Sequence, residues 1–134
     1  MHQPPLILIV DDEPDLLEIG RARLEAAGFE VKTAGNAPDG FDDAKKFQPD
    51  LVLLDIRMPG INGTEALLDF KKDSLLKNIK VAFLTNMVIP WPGVSTENKS
   101  FAKELGAVKF LDKAKDMEKL AEIVKGILSE SSKA

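Results

Sequence analysis

Acidic residues in this sequence twice follow a short apolar run. Asp11 and Asp12 come directly after the run 6–10, and Asp55 comes directly after the run 51–54. Such runs between turn-forming residues are typical of strands buried on both faces of a parallel sheet. Carboxylates at the C-terminal ends of these strands lie where open α/β sheets keep their ligand sites. Asp55 could alternatively be a turn residue, because Asp is common just after strands.

A hydroxyl and an ammonium group follow two further apolar runs. Thr85 comes after the run 81–84, and Lys113 comes after the run 108–111 and Asp112. If the four strands are parallel, all of these polar groups lie at one edge of the sheet. Carboxylates, a hydroxyl and a lysine at one edge suit a divalent metal ion and a phosphoryl group.

The chemistry of this set points to phosphoryl transfer. Crowded carboxylates repel one another, and a divalent cation such as Mg²⁺ lowers that cost. Phosphoryl transfer depends mainly on positioning and charge neutralisation, which a metal ion and Lys113 would supply. Asp55 is the candidate nucleophile and would form an acyl phosphate. The added charge would attract Thr85 and Lys113, and so bias the loops after their strands in a two-state switch.

The elements between these residues predict an α/β fold. Strands are predicted at 6–10, 29–33, 51–54, 79–84 and 108–111, and helices at about 14–27, 37–47, 64–72, 96–105 and 117–128. Pro14 suits a first helical turn, Asn36 and Asp116 are candidate helix caps, and Gly28 suits a C′ position. Residues 58–63 have loop chemistry. Alternation of strands and helices predicts a three-layer, doubly wound, five-stranded parallel sheet with five helices.

Composition predicts one soluble domain. The chain has 134 residues, of which 44% are apolar and 30% charged, with a net charge of −4 and no cysteine. We expect a single domain over 1–134, with a core at about 6–128, a frayed tail at 129–134 and His2 in a mobile end. The acidic balance gives no indication of direct nucleic-acid binding. No apolar run could span a membrane and no signal peptide is evident, so a cytoplasmic location is expected.

These motifs together resemble the receiver domains of two-component response regulators, over about residues 6–128. The resemblance depends on Asp11-Asp12, on Asp55 within Asp-x-x-Met-Pro-Gly-x-x-Gly, on Thr85, on Lys113, and on Gly106-Ala107 before the fifth strand. It implies a flavodoxin-like receiver fold with strand order 2-1-3-4-5. It also implies a signalling domain that catalyses only its own phosphorylation and dephosphorylation.

The resemblance implies a role for each site residue. Asp55 would accept a phosphoryl group from a phosphohistidine on a sensor histidine kinase or a phosphotransfer protein. Asp11, Asp12, Asp55 and the backbone carbonyl of Arg57 would hold Mg²⁺, and Lys113 would pair with the phosphoryl group. Asp11 and Asp12 could instead cap the first helix.

The resemblance also implies a switch and an output. Thr85 would hydrogen-bond the phosphoryl group, and Phe110 would follow it as a switch aromatic, although Phe110 could equally be a plain core residue. The fourth helix, fifth strand and fifth helix would form the surface for a downstream protein target, and a phosphorylation-dependent dimer is a further possibility. Glu13 is most simply a solvated acid at a helix start.

The chain departs from the family pattern in three places. Ala114 follows Lys113 where the family usually has proline, and Asn86 follows Thr85 where a small residue is usual. We expect Asn86, together with Arg57 and Met87, to narrow access to Asp55 and to slow phosphoryl turnover. Residues 86–94 lengthen the stretch between Thr85 and Lys113, and Trp91 there either contacts a partner or folds back onto the domain.

Two other functions stay open on the sequence alone. A receiver-like interaction module that is never phosphorylated would fit Ala114 and Asn86, but the intact set of acids, threonine and lysine argues against it. An aspartate-using phosphatase would need a second catalytic acid near Asp55, and the obvious position holds Arg57.

Overall fold

The computed structural model describes residues 2–55, 57–58, 61–62, 69–85, 109–113 and 116–131. Seven strands lie in these ranges: β1 (Leu6–Val10), β2 (Glu30–Ala34), β3 (Leu51–Asp55), β4 (Arg57–Met58), β5 (Ile61–Asn62), β6 (Lys80–Thr85) and β7 (Lys109–Asp112). The helices are α1 (Pro14–Ala26), α2 (Ala37–Phe47), a 3₁₀ turn (Met117–Lys119) and α3 (Leu120–Ser131). Residues 69–72 are also helical, where the sequence predicts the end of a helix.

Five of the strands form one parallel sheet in the order β2-β1-β3-β6-β7. Every neighbouring pair in it is parallel. Counted along the chain, this is the predicted order 2-1-3-4-5, and the predicted doubly wound parallel sheet is confirmed. All five carboxyl ends therefore lie at one edge.

Alternate residues of the central strands pack into two separate cores. On β1, Leu8 and Val10 face one core, whereas Ile7 and Ile9 face the other. The first core packs against α2 and Phe70, and the second against α1 and α3. Since successive side chains of a strand point to opposite faces, a run that is apolar throughout is buried on both sides.

Local chemistry sets the helix ends much as predicted. The Asn36 side chain accepts a hydrogen bond from the Asp39 backbone N–H at 2.8 Å, which confirms the cap of α2. After α1 the chain turns at Gly28, whose φ of 98° is costly for any residue with a Cβ. Neither Asp11 nor Asp12 is the N-cap of α1, because that position belongs to Glu13.

Several predicted boundaries are wrong. The Phe29 N–H bonds to Leu24 O in the turn after α1, and Ala34 O accepts from the Asp11 N–H, so β2 starts and ends one residue later than predicted. Strand β6 runs on to Thr85. The predicted loop at 58–63 includes part of an antiparallel pair between β4 and β5, because strands of two residues leave no periodic pattern.

The C-terminal region also differs from its prediction. Asp116 precedes a 3₁₀ turn but makes no side-chain cap hydrogen bond there, because its carboxylate accepts from the Asp112 N–H instead. Helix α3 continues to Ser131, so Ser129 is helical rather than part of the predicted frayed tail. Ile127 and Leu128 are buried and anchor this part of the helix.

The N-terminal segment is held against the opposite edge of the sheet. The His2 N–H donates to Asp50 Oδ2 at 3.2 Å, and its ring Nε2 lies 3.0 Å from Phe47 O and 2.9 Å from Gln48 O. His2 therefore has defined hydrogen-bond partners at this edge, and its mobility stays a prediction. No helix within the described ranges is long and apolar enough to cross a membrane.

Candidate functional site

The carboxyl edge of the sheet brings the predicted polar residues together. Asp11 follows β1 directly, Asp55 is the last residue of β3, and Thr85 is the last residue of β6. Lys113 follows β7, whose last residue, Asp112, is in register with Thr85. The strand order places β3 at the centre of the sheet, so Asp55 lies between the other groups.

The Lys113 ammonium is the centre of the described site. Its Nζ lies 2.8 Å from Asp11 Oδ2, 2.7 Å from Glu13 Oε1 and 3.3 Å from Asp55 Oδ2. The Lys113 side chain is only 6% exposed, and those of Asp11 and Asp55 are 0% and 3% exposed. Removing one partner of such a buried ion pair leaves an uncompensated charge, which is strongly destabilising.

Burial and charge act in opposite directions on these groups. Burial raises the pKa of Asp11. The hydrogen bonds that Asp11 accepts from Lys113 and from the Glu13 N–H oppose this rise but do not cancel it. For Lys113, burial alone would lower the pKa, but hydrogen bonds to Asp11 and Glu13 and the charges of Asp11 and Asp55 outweigh it and raise the pKa above its usual range. Lys113 is therefore a fixed positive charge at neutral pH.

The acids at this edge suit a divalent cation. One oxygen from each of Asp11, Asp12, Glu13 and Asp55 lies within 4.8 Å of the other three. Oxygens on opposite sides of a bound Mg²⁺ are about 4.2 Å apart, twice the usual ligand distance, so a small closure would suffice. Asp11 Oδ2 is buried, and the Lys113 ammonium lies 2.8 Å from it. The residues present fit a magnesium ion.

The structure describes other predicted site residues only in part. Thr85 and Phe110 belong to strands β6 and β7, with Phe110 in register with Phe83, but their side chains lie outside the described part. Arg57 belongs to β4 and is in register with Asn62, and its side chain is likewise outside. Three further predicted residues lie wholly outside the described ranges: Asn86, Met87 and Trp91.

Glu13 is a site residue whose contact with Lys113 the sequence did not predict. It is 54% exposed, as expected for a helix-start acid, yet it makes the shortest contact to the Lys113 ammonium. The available signal was the unbroken acidic run Asp11-Asp12-Glu13. Asp116 is a second residue that the sequence placed in another role, since its carboxylate bonds to the end of β7 beside Lys113.

The fold and site define a class of protein, a doubly wound parallel domain with acids and a lysine clustered at its carboxyl edge. A family model described as the response regulator receiver domain matches residues 7–125 of this chain. The chain therefore belongs to the response regulator receiver family, and the resemblance drawn from the sequence is confirmed.

Individual relatives agree with this assignment. Protein PilH of Pseudomonas aeruginosa is 36% identical over 123 residues, which cover 92% of this chain and 97% of PilH. Response regulator Rre1 of Synechocystis sp. is 33% identical over 96% of this chain but only 54% of its own length. A CheY-like response regulator receiver domain protein from Methanospirillum hungatei, known from a crystal structure, is 32% identical to this chain. The match covers 96% of this chain and 97% of that chain, with a TM-score of 0.80.

Proposed function

We propose that this chain is a phosphorylation-dependent switch in which Asp55 accepts a phosphoryl group. The observation that carries the proposal is the contact of the Lys113 ammonium with both Asp55 and Asp11 in a buried acidic site. Membership of the receiver family supports the same role. The donor would be a phosphohistidine on a sensor histidine kinase or a phosphotransfer protein.

The reaction would be a displacement at phosphorus. A carboxylate oxygen of Asp55 attacks, the bond from phosphorus to the donor atom breaks, and the leaving group keeps the electron pair. Lys113 would hold negative charge on the transferring group, from a position already 3.3 Å from Asp55 Oδ2. The chain would catalyse only this transfer and the later hydrolysis of its own acyl phosphate.

The acidic group would hold Mg²⁺ during this reaction. Asp11, Asp12 and Asp55 would supply carboxylate oxygens, and we propose the backbone carbonyl of Arg57 as a further ligand. The ion would neutralise charge on the phosphoryl oxygens and on the crowded acids. Glu13 belongs to the same cluster and adds to the negative field at the site.

Phosphorylation would change a surface for protein partners. A phosphoryl group at Asp55 offers new acceptor oxygens to Thr85 and Lys113, and so biases the segments after β6 and β7. We propose Phe110 as a switch residue, Asn86, Met87 and Arg57 as controls on access to Asp55, and Trp91 as a partner contact. The same proposal includes a downstream protein target in the cytoplasm and a phosphorylation-dependent dimer. It also includes no direct binding of nucleic acid by this domain.

Intact-mass spectrometry tests the function directly. We expect one phosphoryl group on the native chain after incubation with Mg²⁺ and acetyl phosphate, and none on Asp55→Asn or when Mg²⁺ is chelated. Asp42→Asn is the control, because it removes an exposed acid of α2, and it should still be phosphorylated. A phosphorylated histidine protein should be run in parallel, since Asn86 is expected to restrict small donors.

A negative result would have a definite meaning. If neither donor gives an adduct and calorimetry shows no Mg²⁺ binding, the chain is an interaction module that is not phosphorylated. An adduct that persists in Asp55→Asn would place the acceptor on another residue.

A further inference from the structure

Lys113 belongs to a turn that two hydrogen bonds close. The Asp112 backbone N–H donates to Asp116 Oδ2 at 2.7 Å, and the Asp116 backbone N–H donates to Asp112 O at 2.8 Å. Asp112 is the last residue of β7 and is 6% exposed. The two bonds therefore tie the residue three positions after Lys113 to the end of the sheet.

The chain just after this turn is fixed to helix α1. Arg23 Nη1 donates to Met117 O at 2.9 Å. The Met117 side chain is buried, and its Cε lies 3.8 Å from the position that a Cβ on Gly20 would take. Helix α1 begins immediately after Asp11, Asp12 and Glu13. The turn is therefore anchored both to β7 and to α1, and both elements lie beside the acidic site.

The position of this turn matters because of the side chain it carries. A lysine side chain has a flexible four-carbon stem, so its backbone must be well placed for the ammonium to reach three carboxylates. Ala114, the next residue, has no ring that would restrict its backbone. The two hydrogen bonds between Asp112 and Asp116 restrain the backbone beside Lys113. An alanine at position 114 supplies no such restraint.

The carboxylate of Asp116 is engaged here and not at the helix start. An Asp before a helix usually accepts from the backbone N–H groups of the first turn. Asp116 makes no such side-chain cap bond, although its backbone carbonyl accepts from the Lys119 N–H. Its carboxylate instead accepts from the Asp112 N–H at the end of β7, directly before Lys113.

We propose that Asp116 is a positioning residue for Lys113. Its carboxylate accepts a hydrogen bond from the Asp112 N–H and so keeps the Lys113 ammonium against Asp11 and Asp55. Asp116 does not itself touch the reacting atoms, and its effect is transmitted through Lys113. The proposal builds on the phosphorylation of Asp55 proposed above.

A double-mutant cycle tests this role. Phosphorylation rates with acetyl phosphate at saturating Mg²⁺ would be compared for the native chain, Asp116→Ala, Lys113→Ala and the double variant. We expect Asp116→Ala to slow the native rate by about tenfold to a hundredfold, the range for a misplacement of about 1 Å. In the Lys113→Ala background the same change should have no further effect. An equal loss in both backgrounds would show a general structural effect and overturn the proposal.

A conservative series provides rescue and controls. Asp116→Asn keeps an oxygen that can accept from the Asp112 N–H, and it should recover most of the rate. Glu118→Ala removes a nearby exposed acid and should leave the rate unchanged. If Asp116→Ala does not fold, as judged by circular dichroism, Asp116→Ser takes its place in the cycle, because its shorter side chain would not reach the Asp112 N–H in the same way.

The two proposals can fail separately. A native chain that takes up no phosphoryl group would defeat the phosphorylation of Asp55. A phosphorylated native chain with Asp116→Ala at the native rate would defeat only the positioning role of Asp116.

Discussion

At the scale of single residues, one ammonium is shared among three carboxylates. Lys113 Nζ lies closer to Glu13 and Asp11 than to Asp55, the residue that would carry the phosphoryl group. An ammonium has three N–H donors, and each donor that bonds to an acid is not available to a phosphoryl oxygen. Glu13 would therefore compete with a phosphoryl group for Lys113, and it would also add to the repulsion of an anionic donor.

Replacement of Glu13 by glutamine tests this competition. We expect Glu13→Gln to be phosphorylated faster by acetyl phosphate, because Lys113 loses one charged competitor. Glu13 is half exposed, so we take the value for a screened ion pair, up to about 1 kcal/mol, which corresponds to a rate increase of up to about fivefold. Rates should be measured at saturating Mg²⁺, so that a change in metal affinity does not enter.

Glu18 offers a matched control for that measurement. It is an exposed acid of α1, the helix that follows Glu13, and it pairs with Arg21 at 2.9 Å, away from Lys113. Glu18→Gln should leave the phosphorylation rate unchanged. A slower Glu13→Gln protein would mean that Glu13 assists the transfer and does not compete with it.

The sequence located the acids and the lysine at one edge, but not their contacts. Asp11, Asp55 and Lys113 could be placed because each follows an apolar run, and parallel strands bring such ends together. The bond between Lys113 and Glu13 joins residues 100 positions apart and depends on side-chain geometry, which no local pattern encodes. The roles of Thr85, Phe110, Arg57, Asn86, Met87 and Trp91 stay predictions.

At the scale of elements, the site depends on how closely α2 packs on β1. A Cβ built on Gly40 would lie 2.8 Å and 3.0 Å from the two methyl carbons of Val10. Val10 directly precedes Asp11, so the helix presses against the strand that presents the site. Only a residue without a side chain allows this approach, and this explains a glycine inside a helix where it costs stability.

Gly40→Ala should therefore destabilise the protein. Overpacking a core typically lowers the free energy of unfolding by about 1–3 kcal/mol. The better helix propensity of alanine offsets at most about 1 kcal/mol of this loss. Urea unfolding followed by circular dichroism would measure the change. Gly126→Ala is the control, because nothing lies within 4 Å of its Cβ position on α3, and it should be neutral or stabilising by up to about 1 kcal/mol. Equal changes in the two variants would contradict the packing argument.

The elements were predictable where the apolar pattern is strong. The central strands were found because they are apolar throughout, and α2 because Asn36 could cap its start. The pair β4 and β5 was missed because strands of two residues have no period to detect. The cap at Asp116 was assigned wrongly because a local rule cannot indicate that the Asp112 N–H competes for the same carboxylate.

At the scale of the whole molecule, the site is arranged at a cost to stability. Asp11 and Asp55 are buried acids, with Asp12 and Glu13 close by and one lysine between them. Burial of charge and repulsion among the acids both oppose folding, as the raised pKa of Asp11 indicates. A group that binds the folded site and neutralises these acids would therefore stabilise the entire fold.

Mg²⁺ should accordingly raise the melting temperature of the native chain. A ligand that binds only the folded state adds about 2.7 kcal/mol to the free energy of unfolding at a hundredfold excess over its dissociation constant. Asp12→Asn removes an exposed acid of the cluster and should lose most of this rise, whereas Asp42→Asn on α2 should keep it. Scanning calorimetry in MgCl₂ and in NaCl of equal ionic strength would separate binding from screening. If the native chain and Asp12→Asn gain the same stability, or if NaCl does as well as MgCl₂, the acidic cluster is not the metal site.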